Sequence, residues 1–318
     1  MKQMFLLSKE NIELARAEVL ALTNAANYEV DDNILILDTK EERLYARLAF
    51  TKAIYRFLFS CKEDELEKSL KGFDWKSIYD ENFCIRTHGG IKQKEKDLAS
   101  YVWNSVEEPR VELKYCKTKI ELFKLANKIY CGKLLHIVTK DFLKRKSHLR
   151  PALHPTSLSP RLARAMINLT GIKKGDVYDP FCGSGGILIE AGMMGFKTIG
   201  LDINDYVLKK ARENLDYYGI RYVELEQRDA LTLKKKLDYV VTDLPYGRNT
   251  KLTLELEKLY LDFLKLLDEH LVYKAVVGYP DFVDFKKLIK KTKLKLLHEF
   301  SVYLHKSLTK KIVVLGKS

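Results

Sequence analysis

Four aspartates in the second half of the chain each follow a predicted strand, namely Asp179, Asp202, Asp229 and Asp243. The carboxyl ends of parallel strands meet in one crevice of an open α/β sheet, so these side chains are expected to line a single site. Carboxylates attract ammonium groups and accept hydrogen bonds from hydroxyl groups. The set therefore favours a ligand that carries both a cation and a sugar.

A glycine-rich loop follows the first of these strands, in the run Asp179-Pro-Phe-Cys-Gly-Ser-Gly-Gly186. Glycine permits the turn that brings backbone N–H groups to a ligand at a helix N-terminus. The loop lacks the Gly-Lys-Ser/Thr of a P-loop, and Leu188 replaces the third glycine of the dinucleotide fingerprint. Asp202 lies where an acid can accept hydrogen bonds from both ribose hydroxyls. Because Asp179 would repel a pyrophosphate and attract an ammonium group, the pattern fits S-adenosylmethionine better than NAD.

The tetrapeptide Asp243-Leu244-Pro245-Tyr246 ends the fourth predicted strand. An exocyclic amine on a nucleobase is a poor nucleophile, because its lone pair is delocalised into the ring. Asp243 and the carbonyl of Leu244 could accept both N–H hydrogens and favour a tetrahedral nitrogen, and Asp243 could take the proton during methyl transfer. Pro245 restricts Leu244 and would turn its carbonyl towards the pocket. Tyr246 would stack on the base.

Both motifs also have simpler interpretations. The tetrapeptide could be a strand end with a proline turn, and the acids could be helix caps of a generic nucleotide-binding fold. No cysteine follows the fourth strand, which argues against a covalent attack on C5 of cytosine. Cys182, in the glycine loop, is expected to be a packing residue.

The helices and strands predicted around these residues indicate an α/β chain made of several parts. Residues 1–60 and residues 61–145 each predict a small α+β unit, in which residues 41–50 are expected to be helical and residues 110–115 β-rich. Residues 146–158 read as a linker, and from residue 159 to residue 318 strands alternate with helices. Seven strands are predicted there. The last two are joined by so short a connection that they must form an antiparallel pair at the end of an otherwise parallel sheet.

Charge is concentrated in particular regions of the chain. The 318 residues carry 56 Lys or Arg and 43 Asp or Glu, a formal net charge of +13, and residues 101–150 alone hold 12 basic and five acidic side chains. Residues 151–318 carry a further excess of basic side chains. The two basic regions predict contact with a polyanion at two places. A solvated, lysine-rich surface would give the same counts.

Composition also limits the class of protein. No apolar run is long enough for a signal peptide or a membrane span, so a cytoplasmic protein that does not bind a membrane is expected. A monomer is also expected. The five cysteines include no C-x-x-C pair and indicate neither a disulfide framework nor a zinc site. No metal is therefore expected.

Three ordered motifs carry a family resemblance: His154 to Met166, the glycine loop, and Asp243 to Gly247. They resemble the archaeal tRNA (guanine-10, N2)-methyltransferases, and Ser301 to Val314 is similar to the closing hairpin of that family. The resemblance implies a ferredoxin-like domain at 1–60, a THUMP RNA-binding domain at 61–145, and a seven-stranded Rossmann-like class I methyltransferase domain at 159–318. Many members have proline where this chain has Leu244. The change is expected to be tolerated, because this residue offers mainly its carbonyl.

The resemblance also implies the reaction and its residues. Methyl is transferred from S-adenosylmethionine to N2 of a tRNA guanosine, guanosine 10, giving m2G and also m2,2G. The implied catalytic residues are Asp243, Leu244, Pro245 and Tyr246, and the implied cofactor-binding residues are Pro155, Thr156, Asp179, Phe181, Gly183, Gly185, Gly186, Asp202, Ile203, Asp229 and Ala230. Among these, Pro155 and Thr156 would lie near the methionine carboxylate, and Asp229 would bind the adenine amine.

THUMP modules hold the acceptor end of tRNA, so the resemblance gives the basic region a partner. Phosphate contacts are expected from Lys114, Lys117, Lys119, Lys133, Lys144, Arg145, Lys146 and Arg150. The run from 144 to 150 could equally be a solvated linker. Access to the target base would need its partial extrusion from a stacked stem.

Other functions remain open from the sequence. The same tetrapeptide serves any exocyclic amine, so adenine N6 or cytosine N4 of DNA is an alternative target. Guanine N2 at another tRNA or rRNA position is a second alternative. A tRNA-binding protein that keeps a cofactor pocket without catalysis is a third.

Overall fold

The computed structural model describes residues 1–153, 158–246, 250–305 and 308–317, without the side chains of residues 42–43, 250–254, 304–305 and 308. This described part contains two seven-stranded sheets and eight α-helices. Its residues divide into two compact units. Unit 1 comprises Met1–Ile12, Ala25–Ala46 and Thr51–Thr139, and unit 2 comprises Glu13–Asn24, Arg47–Phe50 and Lys140–Ser318. Helix α1 (Ile12–Thr23) lies in unit 2 from Glu13 onward.

Unit 1 is built on a mostly antiparallel sheet. Its strands are β1 (Lys2–Leu7), β2 (Tyr28–Asp31), β3 (Ile34–Asp38), β4 (Thr51–Lys62), β5 (Phe83–His88), β6 (Thr118–Leu125) and β7 (Lys128–Ile137), with helices α2 (Leu66–Gly72) and α3 (Glu95–Trp103). The strand order is β2-β3-β1-β4-β7-β6-β5, and β5 and β6 are the parallel pair. Leu66, Leu70, Leu98 and Val102 bury one face of each helix around Trp75, which is the spacing of an amphipathic helix.

Several expectations for unit 1 need correction. Residues 41–50 contain a 3-10 helix over Glu42–Arg47 instead of an α-helix, and β2 was not predicted. Residues 110–115 form no strand apart from a bridge between Val111 and Phe83. There the Oε1 atom of Glu112 accepts a hydrogen bond from the backbone N–H of Lys114 at 2.8 Å, a local turn that competes with strand pairing. The predicted boundary after residue 60 lies two residues before the end of β4. The division into ferredoxin-like and THUMP domains stays a prediction.

The cysteines also differ from expectation. Cys84 and Cys116 form a disulfide bond, although the number and spacing of the cysteines indicated no disulfide framework. The two residues are 32 positions apart, and they meet because β5 lies beside β6, which begins just after Cys116. Among the described residues, no group of three or more His, Cys, Asp or Glu side chains is arranged to hold a metal ion. None of the described helices is both long and apolar enough to span a membrane.

Unit 2 contains the second sheet. Its strands are β8 (Val177–Asp179), β9 (Thr198–Asp202), β10 (Val223–Gln227), β11 (Leu237–Asp243), β12 (Leu271–Pro280), β13 (Lys295–His305) and β14 (Leu308–Gly316), and its further helices are α4 (Pro160–Leu169), α5 (Gly186–Met193), α6 (Asp205–Tyr217), α7 (Thr250–His270) and α8 (Phe285–Ile289). The order is β10-β9-β8-β11-β12-β14-β13. Strands β8 to β12 run parallel, and β14 is antiparallel to β12 and β13. The predicted seven strands with a terminal antiparallel pair are confirmed.

The strand order of unit 2 places the functional residues. The chain moves outward from β8 to β9 and β10, then returns to β11 on the other side of β8. Ligands of open α/β sheets bind at the carboxyl ends of the strands where the order reverses in this way. Beside these strands, Tyr260, Phe263, Leu264 and Leu267 form one buried face of α7 within the main hydrophobic core, so the helix is held firmly by apolar burial.

Candidate functional site

A cavity of about 550 Å³ opens at the carboxyl ends of β8 to β11, a size typical of small-molecule sites. Its lining includes most of the predicted cofactor and catalytic residues: Asp179, Phe181, Gly183, Gly186, Asp202, Ile203, Asp229, Ala230, Asp243, Leu244, Pro245 and Tyr246. The sheet topology therefore brings together the residues that the strand-end pattern selected. Pro155 and Thr156 lie outside the described residues.

Asp179 is the most deeply buried acid of the cavity, with 2% of its surface exposed. Its Oδ1 atom accepts hydrogen bonds from the Thr242 hydroxyl at 2.7 Å and from the Phe181 backbone N–H at 3.3 Å. Burial raises the pKa of this carboxyl to about 7, and the negative charges of Asp243 and Asp202 add to the rise. Since both hydrogen-bond donors are neutral, a cationic group in the cavity would stabilise the charged form.

The glycine loop is held to the end of β9 by Asp202. The Oδ2 atom of Asp202 accepts a hydrogen bond from the Gly183 backbone N–H at 3.0 Å, and its Oδ1 atom accepts one from Asn204 N–H at 2.9 Å. Gly183 and Gly185 have φ values of 51° and 83°, in the left-handed region that glycine adopts without strain. Gly185 does not line the cavity itself and instead starts α5 as its N-cap.

The outer part of the cavity is more open. Asp229 is exposed, and its Oδ1 atom accepts a hydrogen bond from Leu231 N–H at 2.9 Å, so it does act as a cap, as the simpler interpretation proposed. Ile203 is 73% exposed, and the neighbouring Ala230 is buried. Phe181 packs edge-on against Phe263 of α7, with ring centroids 5.2 Å apart.

Asp243 is paired with a lysine that the sequence analysis did not identify. The ammonium of Lys310, on β14, donates hydrogen bonds to both carboxylate oxygens of Asp243, and Lys310 is only 2% exposed. Burial raises the pKa of the Asp243 carboxyl, and the charge of Lys310 opposes that rise. On the neighbouring strand, a Cβ atom at Gly278 would lie 2.5 Å from Oδ1 of Asp243. Glycine there leaves room for the carboxylate.

The tetrapeptide is fixed by two further contacts. The backbone N–H of Leu244 donates to the Gly278 carbonyl at 2.9 Å, a bond that a proline at this position could not make. The Tyr260 hydroxyl of α7 donates to the Pro245 carbonyl at 2.6 Å. Tyr246 is partly buried, and the Nζ atom of Lys310 lies 5.0 Å from its ring centroid.

The sequence contains patterns that bear on Lys310 and Tyr260, two site residues that were not predicted. Lys310 precedes the apolar run Ile312 to Leu315 by two positions, so strand periodicity places it on the same face as the buried Ile312. Ile312 pairs with Gly278, which in turn pairs with Asp243. Tyr260 falls on the apolar face of α7. Neither signal by itself identifies the contact made.

Two of the predicted RNA-binding residues are interior, and this corrects the prediction. Arg145 is 6% exposed, and its guanidinium donates to both carboxylate oxygens of the buried Glu190 at 2.6 and 2.9 Å. Arg164 donates to the same carboxylate at 3.0 Å. Arg150 is also buried, and its Nε–H donates to the Arg145 carbonyl at 2.9 Å. Arg145 therefore serves to compensate a buried carboxylate, and Arg150 packs in the interior of unit 2, so neither guanidinium is placed to contact a phosphate.

The predicted lysines are more accessible. Lys114, Lys117, Lys144 and Lys146 are exposed. Lys119 is partly buried and pairs with Glu121 at 2.7 Å. Lys133 is also partly buried, and its Nζ atom donates to the Ile78 carbonyl at 2.7 Å. Lys144 pairs with the exposed Asp141 at 2.9 Å. The four exposed lysines are therefore more accessible to a polyanion than the other two.

Two family models each match a segment of the chain. A model described as an RMKL-like methyltransferase domain matches residues 147–310, a range that includes the cavity and Lys310. A second model, described as a DNA methylase, matches residues 32–213 and ends before Asp243.

Two curated relatives match all or nearly all of the chain, and a third matches a part of it. The tRNA (guanine(10)-N2)-dimethyltransferase of Methanothermobacter thermautotrophicus is 32% identical, with 100% of both chains covered. The enzyme of the same name from Pyrococcus abyssi is 29% identical, with 94% of each chain covered. The tRNA (guanine(10)-N(2))-methyltransferase of Saccharomyces cerevisiae is 28% identical over 39% of this chain and 32% of its own.

Solved structures share the fold. TrmN from Thermus thermophilus matches with a TM-score of 0.52 and 20% identity, with 100% of both chains covered. SMU.472, a putative methyltransferase complexed with SAH, matches with a TM-score of 0.51 and 15% identity over 99% of this chain and 98% of its own. At these identities the likeness concerns the architecture alone.

Proposed function

Because the chain belongs to the archaeal tRNA (guanine(10)-N2)-dimethyltransferase family, we propose that it methylates the exocyclic N2 of guanosine 10 in tRNA, giving m2G and then m2,2G. The observation that carries the proposal is the position of Asp243 at the end of β11, in the same cavity as Asp179. One acid can accept hydrogens from an amine while the other binds the cation of the methyl donor.

The cavity residues fit S-adenosylmethionine. Asp179 is buried, its hydrogen-bond donors are neutral, and its pKa is raised, so the ammonium group of the methionine part would supply the missing positive charge. Asp202, at the next strand end, can accept hydrogen bonds from the ribose hydroxyls, and Asp229 with Ala230 lies at the open side, where the adenine edge would be bound. When bound, S-adenosylmethionine supplies a methyl group on a positively charged sulfur.

The tetrapeptide activates the amine. Asp243 and the Leu244 carbonyl accept the two hydrogens of guanine N2, and Tyr246 stacks on the base, so that the nitrogen lone pair is directed at the methyl carbon. S-adenosylmethionine would supply the methyl group and be left as S-adenosylhomocysteine when its bond from sulfur to the methyl carbon breaks, and Asp243 takes the proton that N2 gives up. The contacts of Leu244 with Gly278 and of Pro245 with Tyr260 hold these acceptors in place.

The N-terminal half serves tRNA binding in this proposal. Residues 1–60 act as a ferredoxin-like domain and residues 61–145 as a THUMP domain, joined to the catalytic part by residues 146–158. Exposed Lys114 and Lys117 in unit 1, and exposed Lys144 and Lys146 in unit 2, contact tRNA phosphates. The protein acts as a monomer in the cytoplasm.

Nucleoside analysis of the product tests the proposed activity. Purified protein is incubated with labelled S-adenosylmethionine and a tRNA transcript, and we expect m2G and m2,2G at position 10, located by mass spectrometry of nuclease fragments. The matched control is the same transcript with adenosine at position 10, which should accept no label. Label in that control would move the target to another guanosine. Because one family model describes a DNA methylase, duplex DNA is offered in parallel, and label in DNA alone would favour that alternative.

Salt dependence tests the proposed phosphate contacts. In the Lys114→Gln/Lys117→Gln variant we expect the slope of log affinity against log salt concentration to fall by about 2, since each lost phosphate contact removes nearly one released counterion. The control is Lys290→Gln/Lys291→Gln, which removes the same charge from two exposed lysines of unit 2. An equal fall in both variants would mean that only the overall charge matters.

A further inference from the structure

Lys310 is a buried cation on the catalytic carboxylate. Its ammonium donates to both oxygens of Asp243, and it faces the ring of Tyr246 at 5.0 Å. These are the two groups that the exocyclic amine and the base must contact. In the free protein Lys310 therefore contacts the same two groups that are proposed to contact the amine and the base.

Asp243 would be difficult to keep ionised without that cation. The carboxyl lies in a desolvated position, where burial alone favours the protonated form. Among the described residues, the other titratable groups that interact with it are Asp179 at the neighbouring strand end, Tyr246 in the tetrapeptide and Tyr260 on α7. None of these three is a cation, and the charge of Asp179 would further favour protonation of Asp243.

We propose that Lys310 is a positioning residue that keeps Asp243 ionised and aims its two oxygens until the exocyclic amine replaces the ammonium at one of them. Lys310 keeps its hydrogen bond to the other oxygen, so the carboxylate stays charged and able to take the amine proton. This inference rests on the proposed role of Asp243 as acceptor of the amine. Through Lys310, β14 has a role in the site, although none of the site residues predicted from the sequence lies on this strand.

The test compares Lys310→Met, which keeps the length of the side chain and removes its charge, with Lys310→Arg, which keeps the charge. The readout is the pH dependence of kcat at saturating cofactor and tRNA, so that ligand binding does not contribute. For Lys310→Met we expect the acid limb of kcat to move to higher pH by about one to three units, with turnover partly restored at high pH. For Lys310→Arg the acid limb should stay where it is in the unmodified protein. A merely structural lysine would lower kcat equally at every pH.

Three outcomes overturn the inference: an unmoved acid limb in Lys310→Met, a loss that is the same at every pH, or an acid limb in Lys310→Arg that moves as far as in Lys310→Met. If Lys310→Met does not fold, carbon-13 NMR of the unmodified protein gives the answer, because the carboxyl signal that disappears in Asp243→Asn reports the charge of Asp243. We expect it ionised at neutral pH, and a protonated signal would reject the proposal. An active Asp243→Asn variant would instead reject the role proposed for Asp243 itself.

Discussion

Asp243→Asn is expected to lower methyl transfer to tRNA by about 10²- to 10⁴-fold, the usual contribution of a positioned general base. Asparagine keeps the shape of the side chain but cannot take a proton, and its amide group would face the amine as a donor. Asp243→Ala should abolish the activity as well. Binding of S-adenosylhomocysteine, measured by calorimetry, should remain, because the proposed contacts to its ammonium and ribose groups come from Asp179 and Asp202. The measurement is single-turnover transfer of labelled methyl to tRNA.

Loss of one partner of a buried ion pair can unfold a protein, so this prediction needs a matched variant. Asp243→Asn leaves Lys310 buried and uncompensated, at a cost of about 3–5 kcal/mol when a pair is broken in this way. Asp243→Asn/Lys310→Met removes both charges. We expect the double variant to fold, to bind S-adenosylhomocysteine and to be inactive. Near-normal turnover in either variant would show that Asp243 does not accept the proton.

The sheet of unit 2 could be predicted because its strands are short apolar runs separated by helical patterns. Strand-end acids followed from this pattern, since parallel strands place their carboxyl ends at one edge. The antiparallel end pair followed from the short connection predicted at residues 306–310, although β14 already begins at Leu308 and includes Lys310. Unit 1 was harder to predict. Its strand β2 has mostly exposed residues and so lacks the alternation that marks a half-buried strand, and its disulfide joins cysteines that only the β5–β6 pairing brings together.

In the site, too, residues positioned by their neighbours in sequence could be predicted, whereas those positioned by distant contacts could not. Asp179, Asp202 and Asp243 could be selected because each is adjacent in sequence to the strand that positions it. Lys310 could not, because its contact with Asp243 depends on the register of β14 against β12 and of β12 against β11. Charge alone also misassigned Arg145, whose partner Glu190 is 45 residues away. A basic run near a linker says nothing about which of its members points inward.

The raised pKa of Asp179 predicts that cofactor affinity depends on pH. Burial raises the pKa of the free carboxyl to about 7, and the proposed contact with the ammonium group of the ligand needs the charged form. Binding must therefore release a proton at pH values below about 7, and the affinity for S-adenosylhomocysteine should fall about tenfold for each unit below that value. In Asp179→Asn the affinity should be lower, by about 10- to 100-fold for loss of a charged hydrogen-bond partner, and independent of pH in this range. Calorimetry from about pH 5.5 to about pH 8 measures both effects around the Asp179 pKa.

The raised pKa of Asp179 also makes the stability of the free protein depend on pH, in the opposite direction. Stability should fall as the pH rises, whereas ligand affinity should increase. A carboxyl whose pKa rises on folding from 3.8 to about 7 destabilises the fold by about 4 kcal/mol once it is ionised in both states, that is, above about pH 7. The cost shrinks as the pH falls through 7 and disappears below about 4, where both states are protonated. Asp179→Asn keeps an acceptor for Thr242 and Phe181, so its melting temperature should exceed that of the unmodified protein at about pH 8 and approach it at about pH 4. Asp229→Asn, at an exposed carboxylate of the same cavity, is the control and should show no such gain. A lower melting temperature for Asp179→Asn at about pH 8 would show that the charged carboxylate does not destabilise the free protein. A pH-independent ligand affinity in the unmodified protein would show that Asp179 does not bind the ammonium group in its charged form.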